Sequence, residues 1–110
     1  MRRGEIYYAD LSPAIGTEIN KRRPVLIVSN EANNRAANTV TVLPITNISR
    51  IYPFEIALSP KDSGLPRPSK AQAQQIRTIS KERIRGDALG RLDAAIMSKA
   101  ADAMRLHLDL

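Results

Sequence analysis

The feature that most restricts the fold is a series of short apolar segments separated by turn residues. Residues 4–11, 39–46 and 52–58 alternate or are rich in β-formers, and residues 24–29 form a continuous β-branched run. Alternation predicts strands with one buried face, and the continuous run predicts a strand buried on both faces. Pro24 is tolerated because it stands first in its strand, whereas Pro44 inside a strand predicts a sheet edge or a bulge. Residues 79–84 are a candidate for one further strand.

The last part of the chain has a different period. In residues 92–108 the apolar side chains repeat at three and four, which predicts an amphipathic helix. Its expected buried face consists of Met97, Ala100, Ala101, Met104 and Leu108. About five or six short strands followed by a terminal helix predict a mainly β fold, a small, partly open barrel with a C-terminal helix packed on it.

The connecting segments are assigned more simply. Residues 59–64 are typical of a turn cluster, residues 69–76 are assigned as a short segment, and residues 87–90 are predicted as a hinge before the helix. Asn30 would cap a short helical turn over residues 31–36, although the asparagines there are equally typical of a loop. The length of 110 residues fits one domain, residues 1–110.

Composition excludes several classes of protein. The chain has no cysteine and one histidine, so disulfide frameworks, thiolate zinc sites and mechanisms with two imidazoles are excluded. Its acidic residues are scattered, and we expect no metal site and no cofactor. The longest apolar run, residues 25–28, is too short to span a membrane, and no apolar leader segment precedes the first strand. We therefore expect a cytoplasmic protein without a membrane partner.

The chain is basic, and the charge is unevenly distributed. It carries 17 lysines and arginines against 11 acidic residues, a formal charge of +6. Residues 61–91 hold eight basic and three acidic residues, so most of the excess lies there. A polyanion partner is favoured, and nucleic acid is preferred to a membrane because the basic residues do not form an amphipathic helix. The alternative is a surface that only improves solubility.

The junction between a polar loop and the strand at residue 24 concentrates groups that could bind phosphate. Lys21, Arg22 and Arg23 are consecutive cations, and for the first two a solvated loop position is the simpler interpretation. Arg23 precedes Pro24, which favours extended backbone and lets the sheet direct its side chain. For Arg23 the phosphate and the solvated interpretations are equally supported by the residues. Glu18 is a general base by type, but a glutamate in a polar loop is usually only hydrated.

Two further positions could contribute polar groups. The Thr46 hydroxyl, at a strand end, could donate to a phosphate oxygen or make a local turn bond, and the local bond is the simpler interpretation. In residues 72–77, if the segment is a half-buried strand, Gln74 and Gln75 face opposite sides. Their amides could read base edges and Arg77 could pair with phosphate, although such strands also occur without a ligand. His107 is interpreted as a structural or helix-dipole residue.

Taken in order, these segments resemble the MazF/PemK toxins of bacterial type II toxin–antitoxin modules. The resemblance covers nearly the whole chain and depends on the ordered coincidence of pieces that are individually weak. They are Arg3-Gly4-Glu5-Ile6, Asp10-Leu11-Ser12-Pro13, Gly16-Thr17-Glu18, Arg23-Pro24-Val25-Leu26, Pro44-Ile45-Thr46, Tyr52-Pro53-Phe54-Glu55 and Gln75-Ile76-Arg77-Thr78.

The resemblance implies a fold, an activity and partners. The fold would be the SH3-like barrel that this family shares with the CcdB gyrase poisons, assembled as a homodimer. The activity would be metal-independent, sequence-specific endoribonuclease cleavage of single-stranded RNA (an mRNA interferase), leaving a 2′,3′-cyclic phosphate and a 5′-hydroxyl. A cognate acidic antitoxin would fold onto the toxin and neutralise it, as charge complementarity favours.

The resemblance also implies site residues. The catalytic positions of the family fall on Arg23, Thr46 and Glu18, and an RNA-contacting glutamine falls on Gln75. With the neighbouring loops and the basic strand, the expected RNA-binding set is Thr17, Lys21, Asn47, Arg50, Gln75 and Arg77.

The chemistry is consistent with these assignments and limits them. Without a metal, side chains must donate to the charge that develops on the phosphate. Arginine is a poor general base because its pKa lies above about 12, so we assign Arg23 first to charge stabilisation and retain Glu18 as the conventional base. Two alternatives remain at this point, a gyrase-poisoning toxin on the same barrel and a non-enzymatic RNA-binding barrel.

Overall fold

The computed structural model describes residues 1–12, 15–17 and 21–110. Within these residues the chain forms seven β-strands, three α-helices and two 3-10 turns. The strands are β1 (Glu5–Asp10), β2 (Arg22–Ile27), β3 (Thr39–Asn47), β4 (Glu55–Leu58), β5 (Ser69–Gln72), β6 (Arg77–Ser80) and β7 (Ile84–Arg91). The helices are α1 (Glu31–Ala36), α2 (Pro60–Ser63) and α3 (Ala94–Leu108), and the 3-10 turns are Ala73–Gln75 and Lys81–Arg83.

The strands form one antiparallel sheet in the order β4-β5-β3-β2-β1-β7, with β6 also paired to β3. Strand β3 pairs with β2 along one side. Along its other side it pairs with β6 as far as Val42 and with β5 from Ile45 onwards. β3 therefore belongs to both halves of the sheet, and the predicted mainly β fold with a C-terminal helix is what the structure shows.

Pro44 lies where β3 changes partner, which corrects the expectation of an edge or a bulge. It pairs with Val25 in the centre of the sheet. The Thr41 carbonyl accepts from the Val28 amide on the β2 side, so in alternating backbone the Pro44 nitrogen points to the other side. There β6 has ended and β5 has not begun. The missing N–H therefore falls between two ladders and interrupts neither.

Both faces of the sheet are buried, as predicted for residues 24–29. One face packs against α3 through a core that includes Ile6, Leu26, Leu43, Ile45, Ala100 and Ala103. The other face encloses a smaller core of Ala9, Leu11, Val25, Ile27, Val40, Val42 and Ile79. On α3 the buried face follows the predicted period through Met97, Ala100 and Met104, but Leu108 was misassigned, since it is exposed near the helix end.

Several connecting segments differ from the predictions. Residues 87–90, predicted as a hinge, lie within β7. Residues 59–64 form α2 with Ser59 as its N-cap, and β4 begins only at Glu55 because residues 53 and 54 form a turn. Gln74 and Gln75 lie in a 3-10 turn rather than in a strand. The Asn30 cap of α1 is confirmed, since its side chain accepts from the Asn33 amide. No helix in the described part of the chain has the length and apolarity needed to cross a membrane.

Candidate active site

Arg23 and Thr46 meet on neighbouring strands. Val25 pairs with Pro44, and the same register continued by two residues places Arg23 opposite Thr46. The Nη1 of Arg23 donates to the Oγ1 of Thr46 at 3.3 Å, and both residues are half-buried. The sequence predicted these two side chains separately, and the structure brings them into direct contact.

The smaller core lies on the same face of the sheet as this pair. Because side chains alternate along a strand, Arg23 lies on the same face of β2 as Val25 and Ile27. Both are completely buried in the core that also contains Val42 and Ile79. The pair therefore lies at the end of a packed apolar interior, where its hydrogen-bond geometry is supported by rigid strands.

Arg77 lies on the same face as this pair. It is opposite Val42 on β3, so its side chain shares the face of the smaller core. Its Nη1 donates to the Leu11 carbonyl at 3.3 Å, a main-chain contact that residue type did not reveal. Gln75, two residues earlier, is half-buried in the 3-10 turn.

The loop between β1 and β2 carries three of the predicted residues. Thr17 and Lys21 are exposed. The Lys21 amide donates to the Ser12 Oγ and its carbonyl accepts from the Leu11 amide, each at 3.0 Å. Lys21 takes a left-handed conformation, φ 67°, where the chain turns into β2. Glu18, the predicted base, lies outside the described residues.

The loop after β3 carries the other two. Asn47 is the last residue of β3, opposite Ser69, and is exposed. Arg50 is exposed as well, and its guanidinium lies 5.2 Å from the centre of the Tyr52 ring. Asn47 follows Thr46 directly along the chain, and Arg50 comes later in the same loop.

A buried charged cluster beside Thr46 was missed by the sequence reasoning. Lys70 is opposite Thr46 on β5, and its Nζ donates to the Glu55 Oε1 at 3.0 Å and to the Arg50 carbonyl at 2.8 Å. Gln72 and Gln74 donate to the other oxygen of Glu55, at 3.0 and 2.7 Å. The only signal in the sequence was the two-residue spacing of Lys70 and Gln72. This spacing indicates a shared partner only when the register places Gln72 opposite Glu55.

The Glu55 carboxylate is held ionised by these contacts. Burial raises its pKa, but the hydrogen bonds from Gln74, the Tyr52 amide, Gln72 and Lys70 outweigh burial and lower the pKa to about 2. Both carboxylate oxygens are occupied by donors, so Glu55 is suited to holding the loop after β3 in place rather than to accepting a proton from a substrate.

Within the described residues, neither a group of metal ligands nor the histidine adds to the site. Among the residues that the structure describes, no group of three His, Asp or Glu side chains could hold a metal ion. His107 lies in the last turn of α3, with its ring 6.4 Å from the Phe54 ring. That placement is consistent with the structural interpretation of His107.

Comparison with known proteins supplies the family. A family model described as the PemK-like, MazF-like toxin of type II toxin–antitoxin systems matches residues 2–108. The chain belongs to this family. It is 46% identical to "Endoribonuclease MazF9" of Mycobacterium tuberculosis, over 100% of this chain and 98% of that protein.

Two solved structures relate the fold to the family. A mycobacterial endoribonuclease in complex with its cognate antitoxin superposes with a TM-score of 0.83 at 33% identity, over 100% of this chain and 96% of that one. MazF from Deinococcus radiodurans has a TM-score of 0.85 at 23% identity, over 100% and 97%, and shows the fold. The predicted family, fold and enzyme class are confirmed by these members of the PemK/MazF family.

Proposed function

We propose that this chain is the endoribonuclease toxin of a type II toxin–antitoxin module. It would cut single-stranded RNA at specific sequences without a metal and leave a 2′,3′-cyclic phosphate and a 5′-hydroxyl. The observation that carries the proposal is the contact between Arg23 Nη1 and Thr46 Oγ1, because it places two phosphate-oxygen donors side by side. The mycobacterial endoribonucleases with the same fold support it.

In the proposed reaction the RNA 2′-oxygen attacks the adjacent phosphorus and the bond to the 5′-oxygen breaks. The 2′-hydroxyl gives up its proton, the leaving oxygen gains one, and negative charge accumulates on the nonbridging oxygens between these events. Since the Thr46 oxygen accepts a hydrogen bond from Arg23, its own proton is available for one nonbridging oxygen. Arg23 would neutralise the other, and Glu18 is the proposed base.

The remaining predicted residues would guide RNA to this pair. Thr17, Lys21, Asn47 and Arg50 are all exposed, and we propose that the loops carrying them border the pair. Gln75 and Arg77 complete the proposed track along the 3-10 turn and β6. With a charge of +6, the chain would bind RNA and, in competition, an acidic antitoxin.

We also propose that residues 1–110 act as one domain in the cytoplasm and pair with a second copy. Exposed apolar side chains support the homodimer, because their contact with water on an isolated chain is unfavourable in free energy. Ile48, Ile51 and Tyr52 are exposed on the loop after β3, and Leu106 and Leu108 near the end of α3. These five residues are called the helix-end patch. Phe54 connects its two parts, since its ring lies 5.4 Å from Tyr52 and 6.4 Å from His107.

The test is incubation of the purified chain, free of antitoxin, with a long single-stranded RNA in EDTA. We expect a discrete set of fragments whose 5′ ends accept phosphate from a kinase and whose 3′ ends are cyclic phosphates. The Arg23→Ala protein, prepared in parallel, controls for contaminating nucleases. Intact RNA after incubation with folded wild-type protein would rule out the proposed activity.

Sequencing the 5′ ends of fragments from a mixed RNA pool then gives the recognised sequence. A shared motif on both sides of the cut supports sequence-specific cleavage. Cuts distributed without a motif would contradict it.

A further inference from the structure

The end of β1 is held by two arginine side chains, Arg83 from the 3-10 turn before β7 and Arg77 from β6. β7 pairs with β1 as far as Ala9 opposite Ile84. One residue before that pair, the Nη1 of Arg83 donates to the Asp10 carbonyl at 3.0 Å and to the Ser12 carbonyl at 2.5 Å. Where the backbone pairing of β7 with β1 ends, the Arg83 side chain makes the next contact with β1.

The second arginine acts from the other side of the same segment. In extended backbone successive carbonyls point in opposite directions, so Asp10 and Ser12 face β7 while Leu11 faces away from it. The Leu11 carbonyl accepts from Arg77 of β6. The carbonyls of residues 10–12 therefore accept hydrogen bonds from arginine side chains on both sides of the segment. This set of contacts is called the β1 clamp.

The β1 clamp lies at the stem of the loop that leads to Arg23. The Leu11 amide donates to the Lys21 carbonyl, and the Lys21 amide to the Ser12 Oγ. Two residues after Lys21, Arg23 pairs with Ala9 of β1 and contacts Thr46. If residues 10–12 moved, these main-chain hydrogen bonds would also move the strand that carries the Arg23 side chain.

We infer that Arg83 is a positioning residue for cleavage: by holding the Asp10 and Ser12 carbonyls, it fixes the strand pair from which Arg23 reaches Thr46 and the scissile phosphate. The inference rests on the proposed function. Arg83 acts through the backbone, because its side chain donates to the Asp10 and Ser12 carbonyls. A small misplacement of a group that must meet a transition state lowers the rate much more than it lowers binding.

The experiment compares Arg83→Met, which keeps the length and removes the donors, with Arg83→Lys, which keeps a charge and donors. Arg85→Met is the matched control, since Arg85 lies close to Arg83 along the chain, near the start of β7, and donates only to the nearby Glu82 carbonyl among the described residues. Cleavage of a short RNA with one cut site gives kcat and KM. Amide hydrogen exchange by NMR follows the Leu11 and Lys21 amides in the same proteins.

We expect Arg83→Met to lower kcat by about tenfold or more while KM changes less than about threefold. Arg83→Lys should recover part of kcat, and Arg85→Met should match the wild type. Exchange should accelerate at Leu11 and Lys21 and stay slow at Leu26 and Leu43. A wild-type kcat in Arg83→Met would overturn the inference, as would accelerated exchange at Leu26 and Leu43 in both Arg83 variants. The exchange measurement stands even if the wild type cuts no RNA, so the two proposals can fail separately.

Discussion

At the scale of single residues, Arg23 has the clearest expected role. Its guanidinium is the one charged group in hydrogen-bond contact with Thr46 among the described residues. In the proposed reaction, Arg23→Ala removes a donor to the charge that develops in the transition state, a type of loss that costs about 10²–10³ in rate. We expect cleavage to fall by at least that factor while the melting temperature and antitoxin binding are retained. Measured cleavage at the wild-type rate would show that Arg23 has no part in the reaction.

Thr46 provides a sharper test of the same geometry. Thr46→Ala removes the hydroxyl, whereas Thr46→Ser keeps the oxygen that accepts from Arg23. We expect kcat to fall in the alanine protein with little change in KM, because one hydroxyl adds little to ground-state binding. The serine protein should keep most of kcat. Equal kinetics of the alanine protein and the wild type would assign Thr46 to closing the strand only.

Among the elements, β4 and β5 are joined by the charged cluster around Glu55. Glu55→Gln leaves Lys70 buried without its counter-charge, a change that costs on the order of 3–5 kcal/mol. The pKa of Glu55 is lowered to about 2 in the folded chain, so its contribution is complete above its ordinary pKa and is lost as the pH falls towards 2. The stability difference between wild type and Glu55→Gln should therefore be large at pH 7 and shrink below about pH 4.5.

Urea unfolding at several pH values measures this difference. Lys61→Gln is a matched control, since Lys61 is exposed on α2 and should give a small difference that does not change with pH. A stability gap for Glu55→Gln that stays constant from pH 7 to pH 3 would contradict the role assigned to the Glu55 carboxylate.

How far the elements could be predicted depended on what each pattern encodes. Alternation and β-branching identified β1, β2 and β3, and the three-and-four spacing identified α3, because these patterns reflect burial along a single element. Gly90 was misread as part of a hinge, although it lies in β7 where the Ser63 backbone leaves no room for a Cβ atom. A glycine required for close approach and one required for flexibility look the same in a sequence.

For the candidate site, the sequence indicated individual residues but not their contacts. Arg23 and Thr46 were chosen by residue type, position and family resemblance. Their meeting depends on the register of β2 and β3, which a local pattern does not specify. The same holds for Lys70 beside Thr46 and for the contact of Arg77 with the Leu11 carbonyl. Long-range register is set by the whole sheet.

At the scale of the whole molecule, the helix-end patch is the surface on which the proposed dimer depends. Large exposed apolar side chains such as these favour association with a partner surface. We expect Leu108→Asp to place a charge in that surface and shift the protein towards the monomer mass of 12.2 kDa. Ala95→Asp, at the exposed opposite end of α3, is the control.

Light scattering coupled to size exclusion, at matched concentrations, measures the mass. The Ala95→Asp protein should keep the wild-type mass. If Leu108→Asp keeps the dimer mass as well, the helix-end patch is not the dimer surface.

The shared position of β3 has a consequence for synthesis of the toxin. Thr46 leaves the ribosome early, but its strand β3 lacks its pairing partners on one side until β5 and β6 emerge. The Asp10 carbonyl at the end of β1 has no hydrogen bond from Arg83 until residue 83 has emerged as well. A nascent chain that stops short of residue 83 holds both members of the Arg23–Thr46 pair without the contacts that set their positions. On the proposed function, we expect such a truncated chain not to cut RNA, so that cleavage begins only when translation of the toxin is nearly finished.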